Sequence, residues 1–201
     1  MTSRTIAVVT AGLSQPSSTR LLADRLTAAT ADELAKAGIS VDVRVVELRD
    51  HAHDLVNATL TGFAAPELQR ALDAVAGADG VIAVTPIFNA SYSGLFKSFF
   101  DVLEPESLVD VPVLVAATGG TARHSLALEH AMRPLFSYLR AVVVPTAVFA
   151  ASEDWAGGDP LAARIRRAAR QLALLVEARE PADAVDPFEE PTPFSQLLAG
   201  G

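Results

Sequence analysis

At 201 residues the chain has room for one domain and a tail, and its net charge of −8 argues against a nucleic-acid binder, which needs a basic face to pair with phosphates. The absence of cysteine excludes disulfides, a thiolate metal site and a Cys nucleophile. Half of the residues are hydrophobic, yet no charge-free apolar run approaches the ~20 residues of a membrane helix, and the first residues lack the basic-then-apolar pattern of a secretory signal, so a soluble cytoplasmic protein is expected.

Thr5–Thr10 is short, β-branched and apolar, and reads as a first buried strand. Beyond the loop 11–18, apolar residues recur at helical spacing at Leu22, Leu26 and Ala29, and Gly38 is a suitable stop. Val41–Leu48 alternates at its start, as a half-exposed strand does. Residues 49–65 carry one short apolar piece in an irregular stretch and are expected to form a surface loop. Pro66 suits a first helical position, with Leu68, Leu72 and Val75 following on one face. Val81–Val84 is a third strand, Gly94–Leu103 a helix and Val111–Ala117 a fourth strand. A helix is expected over His124–Leu139 and a fifth strand over Val142–Ala150. The last helix places Leu161, Ile165, Ala168, Leu172 and Leu175 on one face and ends before Pro181.

Five apolar strands separated by helical crossovers predict an α/β fold, a doubly wound parallel sheet with helices on both faces. Residues 1–180 form this domain. Residues 181–201 are a Pro-rich acidic tail that ends in apolar pieces around Phe194 and Leu197, read as a disordered segment or one docked on its own or a neighbouring subunit. In the flavodoxin-like order 2-1-3-4-5, the loops after strands one, three and four crowd one edge of the sheet at the switch point.

Those three loops carry the unusual chemistry. Gly12–Arg20 is rich in small hydroxyl side chains and opens a helix, whose free N–H groups hold an anion or are simply capped by Ser17 or Ser18. It lacks both the Gly-Lys-Ser/Thr of a Walker loop and the G-x-G-x-x-G of dinucleotide folds. Thr85–Asp101 joins a buried strand to a helix through Pro, Asn, Ser and Gly, a make-up that lets a planar ring approach the backbone or forms a surface turn. Lys97 and Asp101 are spaced to pair on the helix surface. Thr118–His124 begins with paired glycines, which offer bare backbone to a ring, or make a βα turn capped by Thr121.

The run from Pro86-Ile87-Phe88-Asn89-Ala90-Ser91 to Lys97 and Asp101 resembles the flavin-contacting signature of NADPH-dependent FMN reductases, with Phe88 where the pattern has Tyr. Thr118-Gly119-Gly120-Thr121-Ala122-Arg123-His124, continuing to Pro134, resembles the branch typified by alkanesulfonate-system FMN reductases. The resemblance implies an NAD(P)H:FMN oxidoreductase that passes hydride from nicotinamide to FMN N5 and supplies reduced flavin to a luciferase-like flavin-dependent monooxygenase. It further implies a homodimer or homotetramer. Ser14, Gln15, Ser18, Thr19 and Arg20 then hold the FMN phosphate. Pro86, Ile87, Phe88, Asn89 and Ser91 border the ring and ribityl chain, and Thr118, Gly119, Gly120 and Thr121 close the other side. No acid–base catalyst is assigned, because the flavin carries the reactivity. The first loop departs from the family pattern: Gln15 stands where many members have a phosphate-reaching Arg, with Arg20 as the substitute. A 2′-phosphate site, and hence NADPH over NADH, would rest on an Arg such as Arg123.

Pro134 lies inside a helical pattern and cannot donate to the His130 carbonyl, so a kink or bulge is expected near His130. By resemblance this helix lies at a subunit interface, where His130 either influences flavin retention or is a core or interface histidine bonded to backbone. His51 and His53 without a third ligand make a weak metal site, so none is assigned. Two other readings remain: an FMN-containing quinone or azo reductase, and a flavodoxin-like electron carrier.

Overall fold

In the computed structural model, residues 2–156 and 159–179 are described. In chain order the elements are β1 (Ser3–Thr10), α1 (Ser18–Lys36), β2 (Ser40–Glu47), α2 (Ala52–Thr61), α3 (Pro66–Ala76), β3 (Gly80–Phe88) and β4 (Ser91–Tyr92). There follow α4 (Gly94–Asp101), β5 (Pro112–Gly119), α5 (Arg133–Tyr138), β6 (Val142–Val143), β7 (Val148–Ala151) and α6 (Asp159–Ala178). The tail expected over 181–201 lies outside the described residues.

β1 sits in the middle of the sheet because both its edges are paired in parallel, with β2 from Ser3↔Ser40 to Thr10↔Glu47 and with β3 from Ile6↔Gly80 to Thr10↔Val84. β3 continues to β5 from Val81↔Val113 to Pro86↔Thr118, and β5 to β6 and β7. Counting β6 and β7 as one fifth position, the order is the flavodoxin-like 2-1-3-4-5.

A strand buried on both faces must be apolar at every position, which is why the strands read as continuous hydrophobic runs. Ile6, Val8, Ile82, Val84 and Leu114 face α1 and α6 and pack with Leu22, Leu26, Leu161 and Leu172. The alternate residues Ala7, Val9, Val81, Ala83 and Val115 face the other helices, where Phe96, Phe99, Phe100 and Phe136 fill the layer. The rings of Phe96 and Phe100 lie 4.8 Å apart, and those of Phe100 and Phe136 lie 5.0 Å apart edge-on.

The structure corrects three sequence expectations. Residues 49–65 are not a loop: a 3₁₀ turn over Leu48–His51 leads into α2, which buries Leu55 and Ala58 and ends at Gly62 with φ +76°. The fifth strand is split. Val144 N–H still donates to Val113 O at 2.9 Å, but Pro145 has no N–H, and the ladder resumes only at Val148. Third, β3 folds back on itself through β4 as a short antiparallel pair, Ile87↔Tyr92 and Phe88↔Ser91, that alternation alone did not reveal.

The expected helix over 124–139 is a composite. A 3₁₀ turn at Ala122–His124 precedes a π-helical turn at Leu128–Met132, and α5 starts at Arg133. The π turn ends just before Pro134, the residue whose missing N–H frees the His130 carbonyl. His130 is exposed, not a core residue. Among the described residues no helix is long and apolar enough to cross a membrane.

Candidate active site

β1, β3 and β5 end side by side, so the loops that follow them meet at the carboxyl edge of the sheet. Ala11 N–H donates to Val84 O at 3.0 Å and ties the first loop to β3. Gly12 leaves room for the cap, since a Cβ would stand 2.1 Å from Ser17 Oγ and displace that hydroxyl from its capping position. Ser17 is the helix cap: its hydroxyl accepts from Arg20 N–H at 3.2 Å. The N–H groups of Ser18 and Thr19 open the first turn of α1 and have no intrahelical acceptor.

Thr19 reaches the third loop directly. Its Oγ1 lies 2.8 Å from Thr118 Oγ1, and both side chains are buried. Past Thr118, Gly119 is packed so closely that a Cβ would meet Phe149 Cζ at 2.8 Å, whereas Gly120 opens onto free space. Thr121 accepts from Arg123 N–H at 3.3 Å and so caps the next turn.

The second loop is pinned at its base. Thr85 Oγ1 accepts from Ser93 N–H at 3.0 Å, and Ser93 Oγ accepts from Phe96 N–H at 3.2 Å to cap α4. Its tip is a two-residue turn in which Asn89 and Ala90 both have positive φ, 47° and 70°. Asn tolerates that region; Ala occupies it under strain.

These loops enclose a cleft of about 480 Å³. Ser14, Ser18 and Thr19 line it from the first loop, Pro86, Ile87 and Phe88 from the second, and Thr118, Gly119 and Gly120 from the third. Leu13, Ala150, Ser152 and Trp155 complete the wall. Among the described residues none of the lining side chains is charged. An anion in this cleft meets a helix N-terminus and hydroxyls, while a flat ring meets the backbone of Gly119 and Gly120.

The model of the NADPH-dependent FMN reductase family matches residues 4–156. The chain belongs to this family. An FMN reductase (NADPH) of Pseudomonas aeruginosa is 42% identical over 179 residues, covering 87% of this chain and 93% of that protein. The NADH-dependent FMN reductase SfnF of Pseudomonas fluorescens is 38% identical over 174 residues, covering 85% and 90% respectively. The X-ray structure of an oxidoreductase from Corynebacterium diphtheriae superposes with a TM-score of 0.86 at 45% identity, over 90% of this chain and all (100%) of that one.

Five residues expected at the flavin site of this FMN reductase family member stand off the cleft wall: Gln15, Arg20, Asn89, Ser91 and Thr121. Asn89 and Ser91 shape the hairpin, and Thr121 is a cap. Arg20 does not point its charge at the loop. It donates to Asp24 at 2.7 Å and pairs with Glu47, and the Asp24 hydrogen bond foremost raises its pKa. Gln15, with its amide oxygen turned toward Arg49, accepts from Arg49 Nη1 at 2.8 Å.

Arg49 was not apparent from the sequence. It pairs through Nη2 with Glu47 at 3.1 Å and through Nε with Asp50 at 3.5 Å, and the buried Nε makes no hydrogen bond among the described residues. The available signal was register: β2 ends opposite Thr10, so the residues just after Glu47 stand beside the first loop. The wall after β7 was also missed. There Asp154 accepts from Ala151 N–H and from Arg164, each at 2.8 Å. Burial alone would raise the Asp154 pKa, but these two donors outweigh it and hold the carboxyl below the usual range. Arg25 Cζ lies 5.1 Å from the centroid of the Trp155 ring.

Proposed function

We propose that this cleft is where FMN and the nicotinamide ring meet, and that the chain acts there as an NAD(P)H-dependent FMN reductase. The observation that carries the reading is the convergence of three loops on one cleft whose described lining is uncharged, with the first turn of α1 and the open backbone of Gly120 both on its wall. When bound, the flavin supplies the hydride chemistry. The chain's own part is positional. Ser14, Ser18, Thr19 and the first N–H groups of α1 receive the phosphate. Pro86, Ile87 and Phe88 border the ring, and Thr118, Gly119 and Gly120 support it from the opposite side. Gln15 and Arg20 act from behind the phosphate loop, Asn89 and Ser91 hold the hairpin, and Thr121 fixes the turn after Gly120. We assign no acid–base catalyst, because the flavin carries the reactivity.

The same proposal makes the protein cytoplasmic and the reductase half of a two-component system, with a luciferase-like flavin-dependent monooxygenase as partner. Phe88 and Leu13 at the rim are 47% and 55% exposed, leaving a path for reduced flavin to depart. Homodimers or homotetramers assemble through the face around the π turn. A hollow of about 630 Å³ there is lined by Tyr92, Phe100, His130, Pro134 and Tyr138, and Tyr138 is 86% exposed. Under anaerobic conditions catalytic amounts of the protein with NADPH or NADH should bleach FMN absorbance. Failure to oxidise either nicotinamide in the presence of FMN overturns the reading.

A further inference from the structure

We propose that Trp155, pinned by Arg25, closes the phosphate end of the cleft and so sets its preference for a flavin mononucleotide over a flavin adenine dinucleotide. The inference rests on the cleft being the flavin site. Trp155 lines the same cleft as Ser14, Ser18 and Thr19, the group placed to receive a phosphate. It is tied to the helix that carries Ser18 and Thr19, because Arg25 projects from α1 onto its ring at 5.1 Å. Arg25 lies seven residues beyond Ser18, about 10 Å along the helix axis.

Arg25 has no competing engagement among the described residues. It is solvent-exposed, and the adjacent Asp24 is taken by Arg20. The turn that carries the indole is fixed as well, by Asp154 accepting from Ala151 N–H and from Arg164. Trp155 is therefore held in place on a partly buried, braced turn.

FMN ends at a phosphate monoester. FAD continues from that phosphate as a pyrophosphate and an adenosine, which must leave the cleft past whatever borders the phosphate. That border is here assigned to the Trp155 ring, which lines the cleft with Ser18 and Thr19. Its displacement breaks the Arg25 contact, a requirement that FMN does not impose. Trp155 is thus a specificity-determining residue, and Arg25 a positioning residue acting through it.

Steady-state kcat/KM for FMN, FAD and riboflavin, measured on the full chain and on Arg25→Met, Trp155→Ala and Trp155→Phe, tests this. The unaltered protein should favour FMN over FAD. Arg25→Met and Trp155→Ala should lower the FMN:FAD ratio by about fivefold or more, through KM for FAD and not through kcat. Trp155→Phe, which keeps a ring for Arg25 to cover, should stay near the original ratio. A merely structural role would shift all three flavins together. An unchanged ratio in Arg25→Met and Trp155→Ala, or no initial preference for FMN over FAD, overturns the proposal. If Trp155→Ala does not fold, Arg25→Met decides, because it alters an exposed side chain outside the core. Riboflavin separates the two levels: a protein indifferent to the presence of the phosphate refutes the cleft assignment itself, whatever Trp155 does.

Discussion

Replacing Thr118 by valine leaves Thr19 Oγ1 without its partner at a site where Thr19 is 3% exposed and Thr118 5% exposed. A buried hydroxyl stripped of its hydrogen bond costs about 1–3 kcal/mol, whereas removing both partners together is close to neutral. The expected pattern is a loss of about 1–3 kcal/mol for Thr118→Val, a similar loss for Thr19→Val, and a double variant no worse than either single. Urea unfolding followed by far-UV circular dichroism, without flavin, measures all three, and the double-mutant cycle isolates the coupling. Because the pair ties the first turn of α1 to the end of β5, each single variant should also raise KM for FMN. Additive losses, with a coupling inside about 0.3–0.5 kcal/mol, would show that the hydroxyls do not bond and refute the linkage of these loops.

Gly119→Ala places a methyl 2.8 Å from Phe149 Cζ, so overpacking should cost about 1–3 kcal/mol, read as a lower Tm in a thermal scan. Ala90→Gly relieves a φ of 70° and should stabilise the protein by up to about 1 kcal/mol in the same urea assay. Loss of stability in that variant would mean that the Ala90 methyl packs usefully. Asp154 has a folded pKa below its ordinary value, so its contribution is present above about pH 4 and is lost as pH falls through the folded value. The Tm advantage of the parent over Asp154→Asn should therefore hold from pH 5 to 7 and shrink toward pH 3; a constant difference contradicts it.

The central strands were legible because burial on both faces forces unbroken apolar runs such as Ile6–Val9 and Val113–Ala117, while their order followed from the flavodoxin-like pattern of five strands with helical crossovers. A break in the helix near His130 was legible as well, because Pro134 removes one identifiable donor; that it takes the form of a π turn was not. What failed to show did so for local reasons. In α2 the outward face is also apolar, with Val56 58% and Leu60 79% exposed, so no amphipathic stripe stood out. The hairpin at Asn89-Ala90 lacks the Asn-Gly pair that marks such turns. In the site, the hydroxyls and glycines Ser14, Ser18, Thr19, Thr118, Gly119 and Gly120, singled out from the sequence, line the cleft. Which serine caps α1, where Arg20 spends its charge, and the arrival of Arg49 and Trp155 depend on contacts between distant segments. Those contacts are set by the register of β2 on β1 and by the turn after β7.

The uncharged wall has a consequence for how the protein meets its surroundings. A cleft whose described lining holds no ionisable side chain draws no proton from that lining on binding. Its affinity for a phosphorylated flavin should then follow the second ionisation of the phosphate monoester itself, near pH 6. Above that point the helix N-terminus faces a dianion, and below it a monoanion. Acidification would loosen the ligand by changing the ligand, while the walls that receive it remain as they were.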